Sequence, residues 1–161
     1  LNDSFELNDS IQQAVATYSK NMIRIAFAYV KNVQDAEDIA QDVFLTYMQK
    51  QPVFENKEHE KAWLIRIAIN KSKNFLKSGW FRTKKTIPDD LSYLPKEEGE
   101  LLQAVLLLDR KYRIPLHLFY YEGYSIQEIA EILQTNASTI GTRLARGRHL
   151  LKTEIGGIVH E

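Results

Sequence analysis

Tyr124-Ser125-Ile126-Gln127-Glu128-Ile129-Ala130-Glu131-Ile132-Leu133-Gln134-Thr135-Asn136-Ala137-Ser138-Thr139-Ile140-Gly141-Thr142-Arg143-Leu144-Ala145-Arg146-Gly147-Arg148 is the stretch whose reading decides the fold. Ser125 with Glu128 three residues later forms a capping box, which opens a short helix with Ile126, Ile129, Ala130 and Leu133 on one face. Gln134-Thr135-Asn136 supplies a turn and a cap for a second helix running to about Lys152. At about 100° per residue, Ile140, Leu144, Gly147 and Leu151 stack on one side of that helix. Thr142, Ala145, Arg146 and His149 point the other way, with Arg143 and Arg148 on the shoulders. No acid occurs between Glu131 and Glu154. A solvated face normally interleaves both signs, so this spacing predicts a helix-turn-helix whose second helix can enter a DNA major groove.

Upstream, the pattern stays helical. Ala14, Tyr18, Met22, Ile25, Ala26 and Tyr29 predict a long helix over 11–31, preceded by a mostly polar stretch, 1–10, that reads as a frayed end. Asn32-Val33-Gln34 breaks it and offers a cap. Ala36, Ile39, Ala40, Val43, Phe44 and Tyr47 then give the core side of a helix over 35–49. Asp35, Asp38 and Asp42 fall at i, i+3 and i+7 beside Gln41, an arrangement that puts them on one outer face. The helix dipole accounts for acids in the first turn but not for Asp42 two turns in, so both a solvated face and a docking face remain open. A loop over 51–60 leads to a third helix, about 58–77, with Leu64, Ile65, Ala68, Ile69, Ser72, Phe75 and Leu76 on one face. Arg66, Asn70, Lys73 and Lys77 lie opposite. That stripe suits a nucleic-acid backbone and one exposed base, or a plain lysine-rich surface.

Residues 79–97 lose periodicity and carry Gly79, Pro88 and Pro95, which predicts a flexible linker longer than an ordinary loop. A leucine-rich helix over 101–108 follows. Residues 109–113 read as a turn into another helix with Pro115 in its first turn, closed by Gly123 in a left-handed conformation. The fold class predicted is all-α: two small helical domains, 1–78 and 98–155, with a tail at 156–161.

Composition narrows function. The 21 basic and 21 acidic residues cancel, yet they are segregated: nine Lys/Arg face two acids over 57–85, while four acids and no base occupy 35–42. Separate surfaces for separate partners follow from such blocks. The chain has no cysteine, which excludes disulfides and suits a reducing compartment. Its first residue, Leu, reads as a trimmed start. Neither a signal peptide nor a membrane-length apolar run is visible. Phosphate loops, nucleophile elbows and metal-spaced clusters are missing, so the expectation is a non-enzyme with no catalytic residue, metal, cofactor or small-molecule substrate. His117 reads as a packed residue, and paired carboxylates are expected only on exposed faces or in the linker.

Four segments together resemble one family: Asp35 to Phe44, Trp63 to Asn70, Tyr120 to Ala130, and Ser138 to Arg148. In order and spacing they are similar to bacterial RNA polymerase sigma factors of the extracytoplasmic-function group, over nearly the whole chain. The resemblance implies a first domain that binds core polymerase and opens the promoter −10 element. By it, Asp38, Gln41 and Asp42 meet the clamp coiled coil of the largest polymerase subunit. Phe54, Asn56, Lys57, Trp63, Arg66, Asn70, Lys73 and Lys77 handle −10 DNA, with Phe54, the loop through Glu60 and Asn70 capturing a flipped non-template base. The second domain would read the −35 element through Thr139, Thr142, Arg143, Arg146 and Arg148. The linker would thread toward the RNA exit path. Further implications are a cytoplasmic location and a membrane-linked anti-sigma factor as inhibitor. Two positions depart from the family: Gly141 stands where Lys or Arg is usual, and Gly147 where Ala is usual, the latter reading as a mild change on the packed face. A dimeric repressor would use the same helix-turn-helix but lacks a visible dimer interface or effector pocket, and a helical adaptor would leave the arginines unexplained.

Overall fold

The computed structural model describes residues 2–78 and 103–155, and all regular structure in them is helical. Packing divides the chain into two units, Leu1–Pro88 and Asp89–Glu161. The division falls inside the predicted linker; residues 79–97 and the tail at 156–161 lie outside the described residues.

In the first unit, α1 (Asn2–Val30), α2 (Val33–Lys50) and α3 (Lys57–Lys77) pack pairwise, with α1 against both of the others. The apolar periods meet in one core: Met22, Ile25, Phe27, Val43, Leu64 and Ile65 are fully buried. α1 starts nine residues earlier than the predicted Ile11. Residues 2–10 contain no Gly or Pro, so nothing in their backbone interrupts the helix. Asn32 caps α2, its side chain accepting from the Asp35 amide at 2.8 Å. Gln51 ends that helix in the left-handed region, and Pro52 follows. Asn56 caps α3 through the His59 amide, again at 2.8 Å.

One acid departs from expectation. Asp35 is 4% exposed, so it leaves the outer stripe on which its spacing placed it. Only two residues connect α1 to α2, which sets the first turn of α2 against the end of α1 and covers that position.

In the second unit a helical stretch at 103–107 precedes α4 (Arg110–Tyr120), α5 (Ile126–Ile132) and α6 (Ala137–Ile155). The turn expected at 109–113 is shorter, and Pro115 sits in the second turn of α4 rather than the first. The carbonyl deprived by its missing N–H belongs to Lys111, which is exposed and can be solvated. Buried Arg113 closes the preceding turn by donating to the Leu108 carbonyl at 2.9 Å. Gly123 has the left-handed φ of 75°, and the Tyr124 amide beyond it reaches back to the Leu118 carbonyl. The Ser125/Glu128 capping box forms in both directions. α5 packs against both α6 and α4, which also pack on each other, so its buried arc is wider than one face: Ile129, Ala130 and Ile132 are buried, while Ile126 is exposed and Leu133 half-buried. Asn136 caps α6 through the Thr139 amide. Ile140 and Leu144 are fully buried, and Gly147 meets α4 so closely that a Cβ there would lie 2.8 Å from Leu116 Cδ1.

Candidate nucleic-acid and partner interfaces

The α2 face comes first. Asp38, Gln41 and Asp42 are exposed together, as their spacing requires. Asp42 is not a free charge, however, because Lys71 of α3 holds its carboxylate at 3.0 Å. Beside this face runs an apolar cleft between α1 and α2 that includes Val15, Leu45 and Met48, all substantially exposed. Sequence periodicity passed over these three because they stand just off the core face.

The second surface is built where α2 passes into α3. Phe54 packs against Tyr47, His59 and Trp63 with ring centroids 5.9, 5.3 and 5.7 Å away. This aromatic cluster fixes the 51–56 loop over the start of α3. Behind it, the Tyr47 hydroxyl donates to Glu60 Oε2 at 2.9 Å, and the Tyr18 hydroxyl donates to the Lys57 carbonyl at 3.3 Å. Burial, then the hydrogen bond and charge of Glu60, push the Tyr47 phenol well up; burial and the same charge raise Tyr18. A cavity of 420 Å³ opens here, lined by Tyr47, Phe54, Asn56, Lys57 and Glu60 among others. Tyr47 is absent from the residues the sequence assigns to this surface, and Glu60 enters there only as the end of the loop. A signal did exist: Glu60 is an acid four residues before Leu64, on the apolar side of α3. Asp35 and Glu122 are likewise buried.

Along α3, Arg66, Asn70, Lys73 and Lys77 are all exposed, opposite buried Leu64, Ile65, Ala68, Ile69 and Ser72. Asn56 and Lys57 are exposed at the helix start, where the Asn56 side chain already serves as the cap; Trp63 is half-buried within the aromatic cluster. Asn70 is ten residues beyond Glu60, about 15 Å along the axis at 1.5 Å per residue, and does not line the cavity. The loop and Asn70 are therefore brought onto one element but not to one point.

The third surface is α6. Thr142 and Arg146 are exposed on its outer side, Thr139 and Arg143 are half-buried at its margins, and Ser138 and His149 extend the exposed face. Arg148 is employed differently: its Nε donates to the Tyr120 hydroxyl at 2.7 Å, and its guanidinium lies over the Phe119 and Tyr120 rings. His117, behind this contact, is buried, stacks on Tyr121 and stands 3.7 Å from the Glu122 carboxylate. Among the described residues no group of His, Cys, Asp or Glu could hold a metal ion, and no helix is long and apolar enough to cross a membrane.

Residues 14–82 match the family model for sigma-70 region 2, and residues 98–151 that for sigma-70, region 4. The chain is 28% identical over 149 residues to the RNA polymerase sigma factor SigV of Bacillus subtilis (strain 168), spanning 88% of each chain. It is 26% identical over 167 residues to the ECF RNA polymerase sigma factor SigX of the same organism, spanning 91% of this chain and 84% of the relative. Among solved structures, the sigma factor RpoE in complex with the anti-sigma factor NepR from Bartonella quintana has the same fold, with a TM-score of 0.75 at 22% identity over 92% of this chain and 98% of that one.

Proposed function

Because the chain belongs to the sigma-70 family of bacterial RNA polymerase sigma factors, in the extracytoplasmic-function group, we propose that its three surfaces divide the work of initiation among a polymerase contact, a −10 contact and a −35 contact. As a transcription initiation factor that directs promoter recognition, it needs both a partner surface and DNA surfaces. Asp38, Gln41 and Asp42 on α2 meet the clamp coiled coil of the largest core-polymerase subunit. The Phe54 loop with Asn56, Lys57 and Trp63 receives an unstacked −10 base, and Arg66, Asn70, Lys73 and Lys77 follow the single strand along α3. Thr139, Thr142, Arg143 and Arg146 lie in the −35 major groove, with Arg148 at its edge.

The observation that carries this reading is α3: four exposed polar side chains on one face, none acidic, begin beside an aromatic loop and a base-sized cavity. Balanced net charge adds that DNA binding needs the holoenzyme, since the free chain lacks a surplus of cations. The anti-sigma factor bound to the structurally similar RpoE supports a cognate inhibitor for this chain as well, able to hold it away from polymerase; the membrane link of that inhibitor rests on the family resemblance alone. Run-off transcription with core enzyme tests the whole scheme. Specific transcripts should require both the chain and core, and tight, salt-resistant promoter binding by the free chain would count against it.

A further inference from the structure

Arg148 is the one cation among the described residues of α6 that a side-chain hydrogen bond holds in place. Its Nε donates to the Tyr120 hydroxyl at 2.7 Å, and its guanidinium carbon lies 5.4 and 5.7 Å from the Phe119 and Tyr120 ring centres. Those two rings brace each other edge to face, with centroids 5.0 Å apart. Tyr120 and Arg148 both stay exposed, and no carboxylate pairs with Arg148 among the described residues. A long surface side chain normally loses rotamer freedom when it grips a ligand, but this one is already ordered by α4.

The pair leaves two donors converging on one point. The Tyr120 oxygen accepts from Nε, so its own O–H proton is left to donate, and it has no acceptor among the described residues. The guanidinium is a flat fork, so the neighbouring Nη–H runs parallel to the Nε–H and aims beside the Tyr120 oxygen. A single anionic oxygen placed there takes both protons and meets the charge. Arg148 follows Thr142 by six residues, about 120° around α6, which sets it at the rim of a groove-seated helix rather than over the groove floor. Gly141 and Ala145 share that flank, and a Cβ at Gly141 would meet nothing within 4 Å, so the approach is open. Resting on the −35 reading above, we infer that Tyr120 and Arg148 form a clasp for one backbone phosphate at the rim of the −35 major groove. Arg148 supplies the charge; Tyr120 donates to the same phosphate and positions the guanidinium. The clasp sets the helix in register and carries no base information.

The test uses holoenzyme assembled from the full chain and core polymerase, bound to promoter duplexes in which each phosphate flanking the −35 element is replaced in turn by neutral methylphosphonate. At one phosphate wild type should lose roughly tenfold in affinity. Arg148→Ala should bind the unmodified duplex about that much more weakly, ignore methylphosphonate at that position alone, and show a salt slope smaller by about one. Tyr120→Phe keeps both rings and the cation, and it should lose most of the response at the same phosphate while preference among −35 bases stays as in wild type. A contact that merely staples α6 to α4 would weaken every duplex alike and leave the whole methylphosphonate pattern of wild type intact in both variants, which overturns the clasp. Wild-type holoenzyme indifferent to −35 base sequence removes the −35 reading itself, and the clasp falls with it.

Discussion

Replacing Gly141 and Gly147 separately by alanine adds the same methyl group to the same helix at two places that differ in their surroundings. In each case α6 gains about 0.8–1.0 kcal/mol of intrinsic helix propensity. A Cβ at Gly141 meets nothing within 4 Å, so the gain should appear in full. At Gly147 the new atom lies 2.8 Å from Leu116 Cδ1, 3.3 Å from its Cγ and 3.4 Å from Tyr112 Cβ. Leu116 is 1% exposed and has little room to turn aside, so the overpacking penalty of about 1–3 kcal/mol applies. The propensity term is common to both variants, and the difference between them isolates that penalty. Gly141→Ala should therefore stabilise the second unit by about 1 kcal/mol, and Gly147→Ala should range from neutral to about 2 kcal/mol destabilising. Amide hydrogen exchange in α6 reads this unit by itself, with roughly fivefold in protection for each kcal/mol. Equal protection in the two variants would refute the packing argument, because Leu116 would then have accommodated the methyl without cost.

Asp38→Arg should weaken core binding in sedimentation while circular dichroism and thermal stability stay near wild type, since the side chain faces outward; unfolding would make Asp38 structural. Arg146→Ala should cost about 1–3 kcal/mol at a single −35 base pair when holoenzyme binds a panel of promoter variants. Arg148→Ala breaks the Tyr120 hydrogen bond and the ring contacts, and it should lower the stability of the second unit by about 0.5–1.5 kcal/mol with base preference retained. The Tyr47 phenol has its pKa raised in the fold above the ordinary 10.0, so its contribution to stability is complete below that pH and is lost as pH climbs beyond it. Alkaline denaturation followed from about pH 10 upward should show the decline, and Tyr47→Phe should flatten it.

Periodicity reported angles around each helix well, and most of the core and the exposed stripes on α3 and α6 follow from it. What it cannot report is position along an axis or across a tertiary contact. Asp35 has the right angle to join Asp38 and Asp42, but it lies in the turn that the end of α1 covers. Asn70 has the right angle to stand over α3, yet its distance from the Phe54 loop depends on helix rise. Arg148 reads as a shoulder cation until Tyr120, twenty-eight residues earlier, is found beside it. Gly147 reads as a mild change from alanine until Leu116 is placed 2.8 Å from its missing methyl. Glu60 was legible in principle as a charge on an apolar face; its meaning depends on Tyr47 and the cavity, which belong to the assembled unit.

α3 also acts as a ruler. Arg66, Lys73 and Lys77 stand about 9, 20 and 26 Å along its axis from Glu60, and a continuous helix can neither stretch nor shorten those intervals. A strand seated by its base at the first turn must then meet the cations at distances dictated by covalent geometry. An extra nucleotide within the span forces a choice between keeping the base seated and keeping its phosphates in step with the stripe. On the proposed −10 reading, spacing would thus be discriminated by length alone, with no additional hydrogen bond to any base.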